Sequence, residues 1–347
     1  MARPTKNPPL TWGTDDRIRE KVMPRSLWAI ITNTFTETLR QNVYGVVVVA
    51  AVLLLIFGPS LAMYTLDDDN QLLKDIELST LLVAGLFLAV FASATVVSEE
   101  IENKTVLTVI TKTVSRTAFV IGKFIGIAGA VLLAQYFLAL VLMIVVRHGV
   151  LQRASEQHDM VTITLGGGGL GLVLLAGAAC NYVYHWRFSS TTIILGSVAA
   201  TVVLTILVFV DPEWNFNPAK NNIHTDLAGP IILIFIATFI LTAVAVAAAM
   251  RLNLIMTFLL CVILFVLGAA ANFWLGPISA QANAVGYLAR AALAIVPAIN
   301  IFVVSNAIYT DTSIPLNYIV HTAAYALCYV AAALLFAIAL FRSREIS

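Results

Sequence analysis

The sequence predicts an all-α protein: a polytopic membrane helix bundle of about eight transmembrane helices. Three observations predict this fold class. Apolar residues make up 60% of the 347 residues, and the mean hydropathy is +0.92. Only 11% of the residues are charged, whereas a soluble domain is about 45–50% apolar and about 25% charged. Apolar runs of about 20 residues, the length at which a helix crosses a bilayer, recur along the chain.

Eight of these runs are long enough to cross the hydrocarbon core as helices. They cover residues 43–64, 78–97, 117–146, 161–184, 190–210, 229–250, 253–275 and 318–341. The third run is long enough to tilt or to extend beyond the membrane. The sixth and seventh runs are separated only by Arg251–Asn253, where we expect a tight turn, because one helix through both would far exceed the bilayer thickness.

Residues 1–42 precede the first span and contain an amphipathic helix at residues 24–40. Its apolar side chains follow one helical face and its polar ones the other. The apolar face holds Leu27, Trp28, Ile31, Phe35 and Leu39, and the polar face holds Arg25, Asn33, Glu37 and Arg40. This pattern predicts an interfacial helix that lies in the inner membrane surface. The alternative is a helix packed against another part of the protein.

The loop at residues 276–317, before the last span, contains a second apolar stretch, VGYLARAALAIVPAINIFVVSNAI, at residues 285–308. Arg290, Pro297 and Asn300 interrupt it, and a ninth span would move the C-terminus to the outer side. We therefore expect re-entrant or membrane-skimming short helices that are broken near Pro297.

The distribution of charge predicts the orientation of the chain. With the N-terminus inside, the inner segments hold 15 of the 20 basic residues, and the outer segments hold 11 of the 19 carboxylates. Cytoplasmic segments carry an excess of lysine and arginine. We therefore expect a multi-pass protein of the cell (cytoplasmic) membrane with cytoplasmic N- and C-termini, and we place residues 98–116 in the cytoplasm.

Sequence motifs point to no chemistry within the chain itself. The only dense glycine run, GGGG at residues 166–169, lacks the Gly-Lys-Ser/Thr ending of a phosphate-binding loop. No HExxH motif or paired-cysteine metal site is present, so we expect neither a catalytic residue nor a metal site, and we expect no nucleic-acid partner. We interpret Gly167 with Gly171, and Gly122 with Gly126, as small residues that allow close helix approach.

Charged residues are scarce within the predicted spans. Lys123 lies near the start of the third span and Arg290 in the stretch before the last span, while the other polar groups are neutral, such as Gln135, Asn181 and Asn272. Ion-coupled carriers commonly bury carboxylates at mid-membrane. The expected lack of buried carboxylates therefore counts against a secondary transporter.

The stretch SEEIENKTVLTVITKTVSR, residues 98–116, lies between the second and third spans and has an apolar row of its own. Its carboxylates come first and its basic residues last, which suits the dipole of a short amphipathic helix. Ile101, Val106, Val109 and Ile110 form the apolar stripe. The helix could rest on lipid headgroups or insert into a groove of a cytoplasmic partner, and physical arguments alone leave the two nearly even.

The run EEIENKTVLTVITKTVSRTAFVIGKFIG, residues 99–126, resembles the signature of type-2 ABC exporter permeases. That signature reads acid-Glu-x-x-x-Gly-Thr, an apolar stretch, Ser-Lys-Pro-apolar-Ser-Arg and then apolar-Gly-Lys-apolar-x-Gly. The residues that match in order and spacing are Glu100, Thr105, Lys112, Ser115, Arg116, Gly122, Lys123 and Gly126.

The strong match covers about 30 residues and has two departures. Lys104 stands where the family usually has Gly, and Thr113 where it usually has Pro, so the helix can run longer than in the family. PAINIF at residues 297–302 and LFRSREIS at the C-terminus also resemble family patterns. Eight spans exceed the six that are typical of the family, so an extra pair has to be accommodated.

The resemblance implies a function, a docking face and partners. It implies that residues 98–116 form a cytoplasmic coupling helix that docks on a separate ABC ATPase subunit, which binds ATP and Mg²⁺, so that this chain needs no cofactor. A second permease copy or a paralogue would complete the transporter in the lipid bilayer. The expected docking face is Glu99, Glu100, Ile101, Thr105, Val106, Val109 and Ile110, and the expected interface anchors are Arg116 and Lys123.

Two other functions remain open. A non-transporting membrane scaffold or assembly factor could use the same helix as an adaptor, and ATP dependence would distinguish it from a permease. A secondary transporter would instead depend on an ion gradient. The transported substrate is not encoded in any recognisable motif.

Overall fold

The structure, a computed structural model, describes residues 16–63, 69–98, 115–150, 158–281, 283–304, 309 and 314–342. Over these residues the predicted all-α fold is confirmed, with ten helices of twelve residues or more. They are α1 (Asp16–Leu39), α2 (Asn42–Ala62), α3 (Asp69–Ser93), α4 (Arg116–His148), α5 (Met160–Tyr184), α6 (Phe188–Phe209), α7 (Ala228–Ala249), α8 (Leu254–Ser279), α9 (Ala284–Ile295) and α10 (Leu316–Arg342).

All of these helices except α1 and α9 are long and apolar enough to cross a membrane, which confirms the eight predicted spans in the described part of the chain. The largest difference in a boundary is at α3, which begins at Asp69 rather than at residue 78, because its polar first turns continue the helix. The tight turn expected at Arg251 is present. It is followed by Asn253, whose side chain accepts a hydrogen bond from Met256 N (3.0 Å) and caps α8.

Three helices, α3, α4 and α7, form the centre of the bundle and are mostly buried. α3 packs against α2 and α7, α4 packs against α1, α3 and α6, and α7 packs against α10. Leu81, Leu138 and Ala237 are fully buried where these central helices meet. Fewer than a quarter of the residues in the membrane-span windows of α5, α8 and α10 are buried, as expected of helices whose outer faces contact lipid.

A small polar cluster joins the three central helices. Gln135 Nε2 donates to the Leu81 carbonyl (3.0 Å), and Thr238 Oγ1 donates to the carbonyl of Ile234 one turn earlier (2.9 Å). A side chain at Gly85 would collide with both Gln135 and Thr238. The glycine therefore lets α3 approach α4 and α7 closely, the type of contact that holds helices together in membranes.

Two inter-helix turns and the ends of α1 and α10 lie on one side of the bundle. Arg187 Nη1, in the turn between α5 and α6, donates to the Arg40 carbonyl at the end of α1 (3.4 Å). Arg251 Nε, in the turn between α7 and α8, donates to the Leu340 carbonyl near the end of α10 (3.2 Å). We call this the α1 side. Its identification with the cytoplasm stays a prediction.

On the opposite side of the bundle, the side chain of a buried arginine forms hydrogen bonds with three separate segments of the protein. Arg147 donates from Nε to the Asn221 carbonyl (2.7 Å), from Nη1 to Thr162 Oγ1 (2.8 Å) and from Nη2 to the Val210 carbonyl (2.8 Å). Its guanidinium also lies 3.7 Å from Asp159 Oδ2. The side chain of Arg147 is completely buried, so this cluster ties α4 to the beginning of α5 and the end of α6.

The chain between α8 and α10 is broken near Pro297, as predicted. α9 has twelve residues, too few for a ninth span, and its side chain Arg290 returns to the end of α8, where Nε donates to the Ser279 carbonyl (2.8 Å). The Pro297 carbonyl lies against Gly268 of α8, where a side chain would collide with it.

Three tyrosines of α10, which we call the tyrosine ladder, hold residues 295–301, the dipping segment. Tyr329 lies thirteen residues after the start of α10, about 20 Å along the helix axis, so the dipping segment reaches well into the depth of the span. Each tyrosine satisfies a backbone group that helical structure leaves unpaired. Tyr329 Oη donates to Ile295 O (2.7 Å), Ala298 N donates to Tyr325 Oη (3.1 Å) and Tyr318 Oη donates to Ile301 O (2.6 Å).

Candidate functional site on the α1 side

The predicted docking face lies outside the described residues, which stop at Ser98 and resume at Ser115. This holds for Glu99, Glu100, Ile101, Thr105, Val106, Val109 and Ile110. The structure does describe both ends of the connection and the helices around them. These ends show which parts of the bundle the segment joins.

The end of α3 is held by buried apolar residues and by a contact to the start of α2. After Ser93 the helix continues as a π-helical turn, Ala94–Ser98, a form that occurs frequently at functional sites. Val96 and Val97 in this turn are buried. Thr95 Oγ1 lies 2.6 Å from Gln41 Oε1, so the end of α3 is joined to the residue that links α1 and α2.

The start of α4 is capped and joined to α1. The Ser115 hydroxyl accepts a hydrogen bond from Ala118 N (3.1 Å), as an N-cap residue does. Arg116 follows and is half-buried. Lys123 is 2% exposed, and its ammonium lies 3.4 Å from Glu37 Oε2 of α1 and 5.9 Å from the centre of the Phe119 ring. The cation at Lys123 therefore joins α4 to α1.

Glycines of α4 bring α1 into close contact with it, as expected for Gly122 and Gly126. A Cβ at Gly122 would lie 2.8 Å from Ile30 Cγ2. One at Gly126 would lie 2.7 Å from Thr34 Cβ and 2.8 Å from the Ile31 carbonyl. The predicted close approach of two helices at this pair is thus confirmed.

The same interpretation is wrong for Gly167 and Gly171 within the described residues. A Cβ at either position would meet no described atom within 4 Å. In the same run, Gly169 would meet Val203 Cγ2 of α6 at 3.1 Å and Gly166 would meet Ile144 Cγ2 of α4 at 3.0 Å. The glycine run therefore packs along a face that is rotated from the predicted one.

The face with which α1 packs includes Phe35 and Leu39 of the predicted apolar face, but it leaves Trp28 outside. Thr34 and Thr38 are fully buried, whereas Trp28 is 66% exposed. Thr38 can be buried because its hydroxyl donates to the carbonyl of Thr34 in the same helix (2.9 Å), and small side chains fit against the glycines of α4. The exposed Trp28 is available to a membrane interface, where tryptophan is enriched. The placement of α1 in that interface stays a prediction.

The last helix ends at the same junction. Phe341, in the final turn of α10, is fully buried and stacks on Phe119 of α4, with 5.5 Å between the ring centroids. Ser189 Oγ, at the start of α6, donates to the Leu39 carbonyl at the end of α1 (3.2 Å). The ends of α1, α3, α4, α6 and α10 therefore meet around the two ends of the 99–114 connection.

Charged residues inside α3 contradict the expectation that the spans lack buried carboxylates. Glu77 is fully buried, and neither of its carboxyl oxygens has a hydrogen-bond partner among the described residues. Its side chain occupies the space that Gly58 of α2 leaves open. Lys74, one turn away, is 5% exposed and pairs with Asp226 Oδ2 at 2.9 Å. The sequence did contain a feature that could have predicted these buried charges: the run KDIE at residues 74–77, at the boundary of the second predicted span.

Comparison with known proteins found no relative. No family model matches the chain, and no curated protein matches it.

Proposed function

We propose that the chain is the membrane-spanning permease subunit of an ATP-driven ABC exporter. The observation that carries the proposal is the run of matching residues in 99–126, which resembles the type-2 exporter signature. It falls at the connection between two buried spans, α3 and α4, on the α1 side. In this function residues 98–116 are a coupling helix, the partner ATPase binds ATP and Mg²⁺, and a second copy or a paralogue completes the transporter.

The surroundings of the connection support a coupling role. At one end Thr95 contacts Gln41, the residue that links α1 with α2, and beyond the other end Lys123 of α4 pairs with Glu37 of α1. A displacement of the connection by an ATPase therefore reaches α1, α3 and α4 together. ATP can drive such a movement only to the extent that it binds one state of the ATPase more tightly than the other.

Co-purification of an ATPase tests the proposal. The tagged chain is extracted from its native membrane in mild detergent, and partner mass and ATP hydrolysis are measured. Ile110→Asp places a charge in the apolar stripe of the predicted docking helix while leaving the spans unchanged. We expect wild-type protein to retain an ATPase subunit and the variant to lose it.

Asn103→Asp is the matched control, because it adds the same charge outside the apolar stripe. We expect this control to retain the ATPase. Equal recovery of the ATPase with both variants would contradict the docking face, and a chain that purifies alone even after crosslinking would contradict the permease function.

A membrane scaffold or assembly factor is the second candidate function. It rests on the same amphipathic connection, used as an adaptor rather than as a coupling helix. Partner binding that persists unchanged with a non-hydrolysable ATP analogue, together with cargo flux that does not depend on ATP, would favour the scaffold.

The burial of Glu77 favours a third candidate, a secondary transporter, more than the sequence did. An ionisable residue inside a span commonly marks an ion or proton pathway. Substrate flux into proteoliposomes under a pH gradient, without ATP, tests this function with Glu77→Gln as the variant. Flux that needs the gradient and is lost in the variant would replace the ABC proposal, whereas ATP-dependent flux that the variant retains would exclude a carrier.

A further inference from the structure

An apolar groove runs between α7, α8 and α10 and ends deep within the bundle. Its volume is about 520 Å³, within the usual range of ligand sites. Aliphatic and aromatic side chains line its length, among them Val244, Leu260, Leu264, Ala333 and Phe336. One end lies at the α1 side and the other at the tip of α9. The two ends of the groove can therefore be distinguished by their depth in the bundle.

The depth of the groove matches one leaflet of a bilayer. It reaches from Leu340, near the end of α10, to Tyr329 in the same helix. Eleven residues of α-helix span about 16 Å, and half of a hydrocarbon core is about 15 Å. An extended acyl chain that enters from the α1 side would thus end where the groove ends.

The two ends of the groove differ in polarity. At the mouth, Arg251 is the one charged residue among the described residues that line the groove, and it is exposed. A guanidinium matches the geometry of a phosphate and binds it through two parallel hydrogen bonds. At the inner end, the hydrogen bond from Tyr329 Oη to the Ile295 carbonyl satisfies the polar groups of both residues. This end is therefore suited to a terminal methyl group.

We propose that this groove binds one acyl chain of an anionic phospholipid from the leaflet on the α1 side, with the phosphate on Arg251. Basic pockets between spans on the cytoplasmic side recognise anionic headgroups in this way. The site is independent of the ABC proposal, because it needs neither an ATPase nor a transported substrate.

Photocrosslinking at a defined depth tests the placement of the acyl chain in the groove. The full-length protein is reconstituted in vesicles of phosphatidylglycerol that carries a diazirine either at the end of one acyl chain or near the glycerol. We expect the terminal probe to label the groove near Ile295 and Tyr329, and the other probe to label it near Arg251 and Leu340. Labelling spread evenly over the exposed faces of α5 and α8, without this order in depth, would overturn the proposal.

Paired arginine variants test the headgroup. Arg251→Gln removes the charge at the mouth, and Arg187→Gln removes an arginine from the other turn on the α1 side, where it also donates to a backbone carbonyl. We expect Arg251→Gln to lower the crosslinking yield of the phosphatidylglycerol probe about fivefold and Arg187→Gln to leave it unchanged. An equal effect of both substitutions, or an equal yield with a phosphatidylcholine probe, would refute headgroup recognition.

A third variant tests the groove without changing a charge. Ala333→Phe places a ring in the groove, so we expect it to block labelling by the terminal probe. Size-exclusion chromatography shows whether this variant remains folded, and the arginine pair tests the proposal if it does not. Full labelling in a folded Ala333→Phe protein would show that the acyl chain lies outside the groove.

Discussion

At the scale of single residues, the buried charges differ in how well they are compensated. The guanidinium of Arg147 has three hydrogen-bond acceptors and a nearby carboxylate at Asp159. The carboxyl group of Glu77 has no partner among the described residues. A buried charge is costly unless it is paired and hydrogen-bonded, so these two residues are expected to respond to substitution in opposite ways.

Arg147→Met is expected to destabilise the protein strongly. The substitution keeps much of the side-chain volume but leaves Asp159 buried without its cation, a loss that typically costs about 3–5 kcal/mol. Thermal unfolding in detergent measures it, with Lys220→Met, an exposed cation on the same side, as the control. A double variant with Asp159→Asn should recover part of the loss. An unchanged unfolding temperature for Arg147→Met would show that the cluster is dispensable.

Glu77→Gln is expected to leave stability unchanged or to raise it. Glutamine has nearly the same shape as glutamate and cannot ionise, so the space beside Gly58 stays filled while the cost of burying or neutralising a carboxylate disappears. The measurement is the unfolding temperature at pH 8 for wild type and variant. A fall of several degrees would mean that the carboxyl group has a partner in a part of the chain that the structure does not describe.

At the scale of helices, the contact between α1 and α4 depends on glycine. Gly122 and Gly126 admit Ile30 and Thr34, so the two backbones lie close together along one face. The pair Lys123 and Glu37 adds a charged contact to the same face. α1 is thereby fixed to the helix that begins immediately after the predicted coupling segment.

Gly126→Val is expected to separate α1 from α4. The new side chain would overlap Thr34 and the Ile31 carbonyl, and overpacking of this kind typically costs about 1–3 kcal/mol. Labelling of a cysteine placed at Thr34, in a background without the native cysteines, reports the separation as faster reaction with a maleimide. Gly171→Val is the matched control, since its Cβ meets open space. Equal labelling rates in the two variants would contradict the role of the glycine.

The helices themselves could be predicted from sequence, but their contact faces could not. Each span is encoded locally by a run of about 20 apolar residues, so its position can be found from the length of that run. Which face is buried depends on a neighbour far away in the chain. Thr34 is buried because of Gly126, and Glu77 is buried because of Gly58. The pattern of apolar residues therefore identified α1, but it gave no indication that Thr34 would be buried.

At the scale of the whole molecule, the described residues contain eight helices of membrane-spanning length, an even number that returns the end of α10 to the α1 side. The contacts of Arg187 with Arg40 and of Arg251 with Leu340 define that side from the described residues. The sequence predicts an excess of basic residues for this side, and the positive-inside rule therefore predicts that it faces the cytoplasm. The break near Pro297 preserves this even number of crossings.

The orientation can be measured with two single cysteines in a cysteine-free background. Arg187→Cys lies on the α1 side and Glu213→Cys on the other, and both positions are exposed. We expect a membrane-impermeant maleimide to label Glu213→Cys in intact cells and Arg187→Cys only after permeabilisation. The reverse pattern would invert the topology and place the predicted docking face outside the cytoplasm.

The tyrosine ladder limits how the last span can move. Tyr318, Tyr325 and Tyr329 are spaced by seven and four residues, so they share one face of α10. Turning that helix by a single residue, about 100°, would break all three hydrogen bonds, whereas a shift along the axis that carries the dipping segment along breaks none. The three hydrogen bonds thus couple α10 to the dipping segment and oppose rotation of the helix. One residue inserted between Tyr318 and Tyr325 would turn Tyr318 away from the face that the other two tyrosines share. The contact of Tyr318 with Ile301 would then be lost.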